Sequence, residues 1–102
     1  MANIPVDKKT IKIFCNRWRI SELAFFGSVL REDFRTGSDI DVLVQFHPES
    51  EHTLFDLVRM QEELSGILGR NVDLVSRSGI ESSRNHFRKN EILNSAKVFY
   101  EA

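Results

Sequence analysis

Gly27-Ser28, a ten-residue interval and Asp39-Ile40-Asp41 set a turn-former and a hydroxyl ahead of two carboxylates spaced two apart. On an extended strand, side chains at i and i+2 project from the same face about 6–7 Å apart, so Asp39 and Asp41 can reach into one small volume. Asp73, between Val72 and Leu74, is an acid inside another apolar run, and a neighbouring strand would bring it alongside the pair. Three carboxylates gathered in one place repel by about 4 kcal/mol per pair at ~4 Å and an effective dielectric near ~20, so such a cluster calls for a cation. Magnesium suits hard oxygen donors and commonly enters with nucleotide phosphates completing its shell. Two such ions can activate an attacking oxygen and steady a leaving pyrophosphate during in-line transfer. Gly27 lets the backbone approach a triphosphate closely, Ser28 offers a hydroxyl, and the first amides of the following turn point toward phosphate oxygens. The expected metal ligands are Asp39, Asp41 and Asp73, with Gly27 and Ser28 as the nucleotide-binding pair.

The spacing is hard to obtain by accident. With Asp near ~6% of residues, Asp-x-Asp alone arises about ~0.4 times in a chain of this size, but requiring Gly-Ser at the fixed offset reduces this to roughly ~0.002.

The segments that must position these groups follow from apolar periodicity. Pro5 followed by Ile11, Phe14, Cys15 and Trp18 predicts an amphipathic helix from about Val6 to Arg19. Leu23–Phe26 is an unbroken aromatic and apolar run ending at Gly27, suited to a covered strand. Val29–Asp33 has room for one or two helical turns, and Thr36, Gly37 and Ser38 form a polar turn. Asp39–Phe46 reads as a strand that becomes apolar on both sides, hence a central one, ended by Pro48. Thr53-x-x-Asp56 resembles a capping arrangement ahead of Leu54, Leu57, Val58, Gln61, Leu64 and Leu68, which keep to a helical face, with Gly69 as the stop. Asn71–Ser76 predicts a third strand. From about Ser82, the helical spacing of Ile92, Leu93, Ala96, Phe99 and Tyr100 predicts a closing helix. The order helix–strand–short helix–strand–helix–strand–helix implies an α/β domain of two or three layers with a small mixed β-sheet and flanking helices.

Composition narrows the remaining classes. A chain of 102 residues is expected to form one domain, residues 1–102, and must commit nearly every apolar segment to one core. Fourteen Lys plus Arg against fifteen Asp plus Glu give a net charge of −1, which argues against nucleic acid as a direct stable partner. The single cysteine, Cys15, excludes an intrachain disulfide, and MANIPVDKKT lacks the pattern of a secretory signal, so the cytoplasm is the expected location. No apolar run approaches the ~20 residues needed to span a bilayer.

The segment GSVLREDFRTGSDIDVLVQF resembles the signature of the minimal nucleotidyltransferases, relatives of DNA polymerase beta, and NVDLV supplies the third acid at Asp73. The likeness covers about Leu23 to Ser76. It implies a polymerase beta-like nucleotidyltransferase fold, with Asp39 and Asp41 holding two Mg²⁺ ions. Asp73 would assist deprotonation of the attacking hydroxyl, and Gly27 with Ser28 would bind the triphosphate. It also implies a partner. Stand-alone members of this size include antitoxins that transfer AMP from ATP to a tyrosine of a HEPN-domain ribonuclease toxin. Two other readings stay open: an antitoxin that neutralises its toxin by occlusion without catalysis, and a nucleotidyltransferase acting on RNA or a small molecule.

Each residue also has a plainer reading. Asp73 could pair with Arg70 or Arg77, and Ser28 could cap the turn that follows it. Arg31, Arg35, Arg84 and Arg88 are expected to be surface charges, with nucleotide phosphates or the partner as the alternative. His47, His52 and His86 lack zinc-site spacing, and Cys15 lies on the apolar stripe of the first helix, packed rather than nucleophilic.

Overall fold

The computed structural model describes residues 7–27, 39–82 and 84–102, with the side chain of Arg88 excepted. Helix α1 (Lys8–Trp18) starts where Asp7 accepts a hydrogen bond from the Lys9 amide, and it ends at Arg19, whose φ of 56° is left-handed. Its buried face is Ile11, Phe14 and Cys15, the stripe that the periodicity predicts. Strand β1 (Ile20–Phe26) begins earlier than Leu23. The reason is a bulge between Ile20 and Glu22: the extra residue brings Ile20 and Leu23 onto one face, which simple alternation would forbid.

Strand β2 (Ile40–Phe46) pairs antiparallel with β1, and after helix α2 (Leu54–Leu68), strand β3 (Val72–Ser76) pairs parallel with β2. The capping box is formed as expected, with Thr53 and Asp56 each bonding the other's backbone, and Gly69 closes the helix at φ 69°. The inward stripe of α2 differs in membership. Met60, Leu64 and Leu68 are buried, whereas Leu54 and Val58, expected on the core face, are exposed.

After β3 comes helix α3 (Arg77–Glu81), and the closing helix expected from about Ser82 divides into helix α4 (His86–Ser95), which carries Ile92 and Leu93, and strand β4 (Lys97–Glu101). β4 pairs antiparallel with β1, completing the order β3-β2-β1-β4. Phe99 and Tyr100 are thus strand residues. Their helical spacing from Ile92 and Ala96 arises from a helix running directly into a strand, and the β-prone Lys97-Val98-Phe99-Tyr100 satisfies the free edge of β1. Phe99 meets Phe25 edge-on at 5.4 Å between ring centres, and the Tyr100 hydroxyl donates to Asn16 of α1.

The sheet is mixed, and helices cover both faces. On one face, α1 and α2 pack over Leu23, Phe25, Ile40, Val42, Val44 and Val72. On the other, Ile80 of α3 and Ile92 of α4 lie over Ala24, Phe26 and Leu43. Burial of large side chains such as Phe25 and Leu23 stabilises the sheet by about 1.5–3 kcal/mol each. No helix among the described residues is long and apolar enough to cross a membrane.

Candidate active site

Sheet register places the acids. Asp41 pairs with Phe26 on its antiparallel side and with Asp73 on its parallel side, so two carboxylates stand side by side on neighbouring strands, about 4.8 Å apart at the backbone. By the alternation of the pleat they share a face with Leu43 and Val75, the face that α3 and α4 cover further along. The Ile40 amide donates to the Asn71 carbonyl at 2.9 Å, tying the starts of β2 and β3 and holding this register. Asp41 is half-buried, while Asp73 is exposed. Asp39 is exposed in the residue just before β2.

Gly27 follows β1 directly and is needed there for two reasons. Its φ is +75°, and a Cβ at this position would lie 2.2 Å from Oδ2 of Asp41. Any side chain would displace the carboxylate, so the bare backbone makes the space in which Asp41 sits. Ser28 lies outside the described residues, as do Arg31, Arg35, the expected turns at Val29–Asp33 and the polar turn at Thr36–Ser38.

The structure thus brings Gly27, Asp41 and Asp73 together. Among the described residues no three Asp, Glu, His or Cys side chains converge closely enough to hold a metal ion, so Asp39 is not drawn into a three-acid cluster. Asp41 and Asp73 still fit magnesium in donor chemistry, because that ion is usually bound through one or two carboxylates, with waters and substrate phosphates supplying its other ligands.

The plainer alternatives for Asp73 divide. Arg77 binds Glu22 at 3.4 Å and Glu81 at 2.9 Å instead. Among the described residues, Asp73 makes no salt bridge. His47 and His86 are exposed. His52 packs against Phe46, with ring centres 4.4 Å apart, as a structural side chain. Cys15 is buried, and loss of solvation pushes its thiol up to about 12, which removes it as a nucleophile. Arg84 is exposed. A larger hollow of about 530 Å³ opens at the carboxyl ends of β2 and β3, with Phe46, His52, Leu57 and Arg77 among its walls; it lies at the opposite end of β2 from Asp41.

Two contributors were not singled out for this role from sequence. Gln61 and Ser65 of α2 bond the backbone on either side of Asp73, through the amides of Leu74 and Val72. The available signal was a glutamine standing among leucines on the face of α2 read as inward.

Comparison with known proteins agrees with this geometry. The sequence profile described as nucleotidyltransferase domain matches residues 7–99. The chain belongs to the nucleotidyltransferase family. Within that family it is 36% identical over 79 residues to the protein adenylyltransferase MntA of Thermococcus cleftensis, covering 78% of this chain and 75% of that one. A crystal structure of a toxin–antitoxin with AMP-PNP superposes at a TM-score of 0.72 and 17% identity, covering 95% of this chain and 75% of that one. A chain from the structure of a tri-AMPylated Shewanella oneidensis HEPN toxin in complex with MNT antitoxin superposes at a TM-score of 0.63 and 18% identity, covering 93% of this chain and 70% of that one. These two structures establish likeness of fold. The expected enzyme class, nucleotidyltransferase, and the mixed sheet with flanking helices both hold.

Proposed function

We propose that this nucleotidyltransferase is a magnesium-dependent protein adenylyltransferase that acts as an antitoxin in the cytoplasm, moving AMP from ATP to a hydroxyl, a tyrosine's, on a HEPN-type ribonuclease toxin. The observation that carries the reading is the register of Asp41 opposite Asp73 beside the bare backbone of Gly27. The name of the Thermococcus relative and the AMPylated HEPN toxin in the Shewanella complex support the choice of nucleotide and partner.

In this reading Gly27 and Ser28 would receive the triphosphate, Asp41 and Asp73 would hold the ions, and Asp39, exposed just before β2, would have to move toward them to join as a third ligand. Magnesium, when bound, would neutralise the phosphates and stabilise the leaving pyrophosphate. Asp73 is exposed and would draw the proton from the incoming hydroxyl. The acceptor oxygen forms a bond to the α-phosphorus as the bond to pyrophosphate breaks, and the hydroxyl proton passes to the carboxylate.

A second reading, neutralisation by occlusion, has one observation in its favour: Leu54 and Phe55 are adjacent on α2 and 79% and 80% exposed, a feature typical of contact surfaces. One experiment separates the two. Incubation of a cognate HEPN ribonuclease with this protein, ATP and Mg²⁺ is expected to add adenylyl units to the toxin, read by intact mass. Asp39→Asn with Asp41→Asn should abolish that gain and the rescue of toxin-expressing cells while the two proteins still co-purify. Rescue by the double variant would establish occlusion, and an unchanged toxin mass with the unsubstituted protein would overturn the catalytic reading.

A further inference from the structure

We infer that Gln61 and Ser65 of α2 are positioning residues for Asp73, setting the register that holds it opposite Asp41; the inference rests on the catalytic reading above. Among the described residues β3 is an edge strand, so the backbone groups on its outer side have no described strand to bond. Two of them are met by α2. Ser65 Oγ accepts from the Val72 amide at 3.1 Å, and Gln61 Oε1 accepts from the Leu74 amide at 3.0 Å. These are the residues immediately before and after Asp73. The Ser65 hydroxyl donates its own proton to the Gln61 carbonyl at 2.7 Å, which leaves its lone pairs directed at β3.

The spacing explains why one register is selected. Four residues of helix rise about 6 Å. Two residues of strand rise about 6.6 Å. A pair of acceptors at i and i+4 therefore matches amides at j and j+2, the helix running against the strand. A slip of β3 by one residue would present the Asp73 amide to α2 and turn the Asp73 carboxylate to the opposite face. The acid that should complete the site is thus held by two neutral side chains that bond the backbone on either side of it. Both are half-buried, so an amide left without its acceptor here is poorly compensated by water.

A merely structural role would cost thermal stability and leave each folded molecule fully competent. The discriminating variants are Gln61→Leu, which removes the acceptor, and Gln61→Glu, which keeps an oxygen at the same reach. Mn²⁺ affinity in the presence of a non-hydrolysable ATP analogue is the primary readout. Amide exchange at Leu74 in the metal-free protein and the kcat and KM of transfer to the HEPN protein accompany it. Gln61→Leu should weaken Mn²⁺ binding about tenfold and lower kcat about tenfold with the KM for ATP within about twofold, the scale of one lost buried hydrogen bond. Leu74 exchange should accelerate, and Gln61→Glu should restore all three. If Gln61→Leu fails to fold, Ser65→Ala against Ser65→Thr carries the same test through Val72. Faster Leu74 exchange with unsubstituted Mn²⁺ affinity and kcat would overturn the inference and leave the proposed function standing. Failure of the unsubstituted protein to take up Mn²⁺ with the analogue would overturn both.

Discussion

The two ends of β2 handle acidic side chains in opposite ways. At the carboxyl end, Glu22 and Glu81 share one guanidinium, that of Arg77. At the amino end, Asp41 and Asp73 stand in the same register on adjacent strands, and the glycine beside them contributes no side chain at all. Like charges directly opposite each other weaken a sheet, so the second arrangement is one that stability alone would not favour. The difference teaches that one strand can position acids in two ways, by ion pairing and by register. At one end the acids are tied to a guanidinium from another element, and at the other they are set side by side by strand register against a bare backbone.

The contrast can be broken most sharply at Gly27. Gly27→Ala should destabilise the fold by ~1–2 kcal/mol, the cost of a left-handed backbone for a residue with a Cβ. Because its Cβ would overlap the Asp41 carboxylate, transfer should fall by about 10²-fold, the effect of misplacing a reacting group by ~1 Å. Steady-state transfer rates on folded protein, beside a urea melt, would check both parts; full activity would show that Asp41 can function elsewhere. At the other end, Arg77→Ala should cost no more than ~1 kcal/mol, since its ion pairs are partly solvated, and should leave transfer unchanged. A large drop in transfer would erase the distinction between the two ends. The smallest effect sharpens it: in chelator, Asp73→Asn should raise stability by about 0.5 kcal/mol by relieving a like-charge pair. A urea midpoint that falls instead would mark Asp73 as a structural acid.

Much of this was legible in the sequence where local chemistry decides the outcome. Thr53 and Asp56 form their box and Gly69 turns left-handed because those choices depend on neighbours a few residues away. β2 is recognisable as central because Val42, Leu43 and Val44 are apolar toward both faces, and the structure buries all three. The failures lie where distant partners decide. Ile20–Glu22 joins β1 through a bulge that polar Ser21 and Glu22 conceal, and β4 exists because β1 has a second edge to fill. Leu54 and Val58 fit a helical stripe on paper, yet α2 rolls so that Met60 points inward, carrying Gln61 toward β3. At the site, spacing identified Asp41 and Asp73 as candidates, and only the parallel pairing placed them side by side. Gln61 and Ser65 bond backbone amides of β3, and the one trace of this in the sequence is a glutamine standing among the leucines of α2.

The pairing of β4 with β1 also bears on when the protein can begin to work. Tyr100 bonds Asn16 across 84 positions, and β1, which leads into Gly27, lacks one of its two neighbours until β4 arrives. Contacts of such high order are slow to form, because the intervening loop must be closed before they return any stabilisation. During synthesis the segment carrying Asp41 and Asp73 leaves the ribosome before the strand that completes the sheet. A nascent chain stalled short of Lys97 should therefore be unable to form the four-stranded sheet, so competence would come only once β4 has emerged.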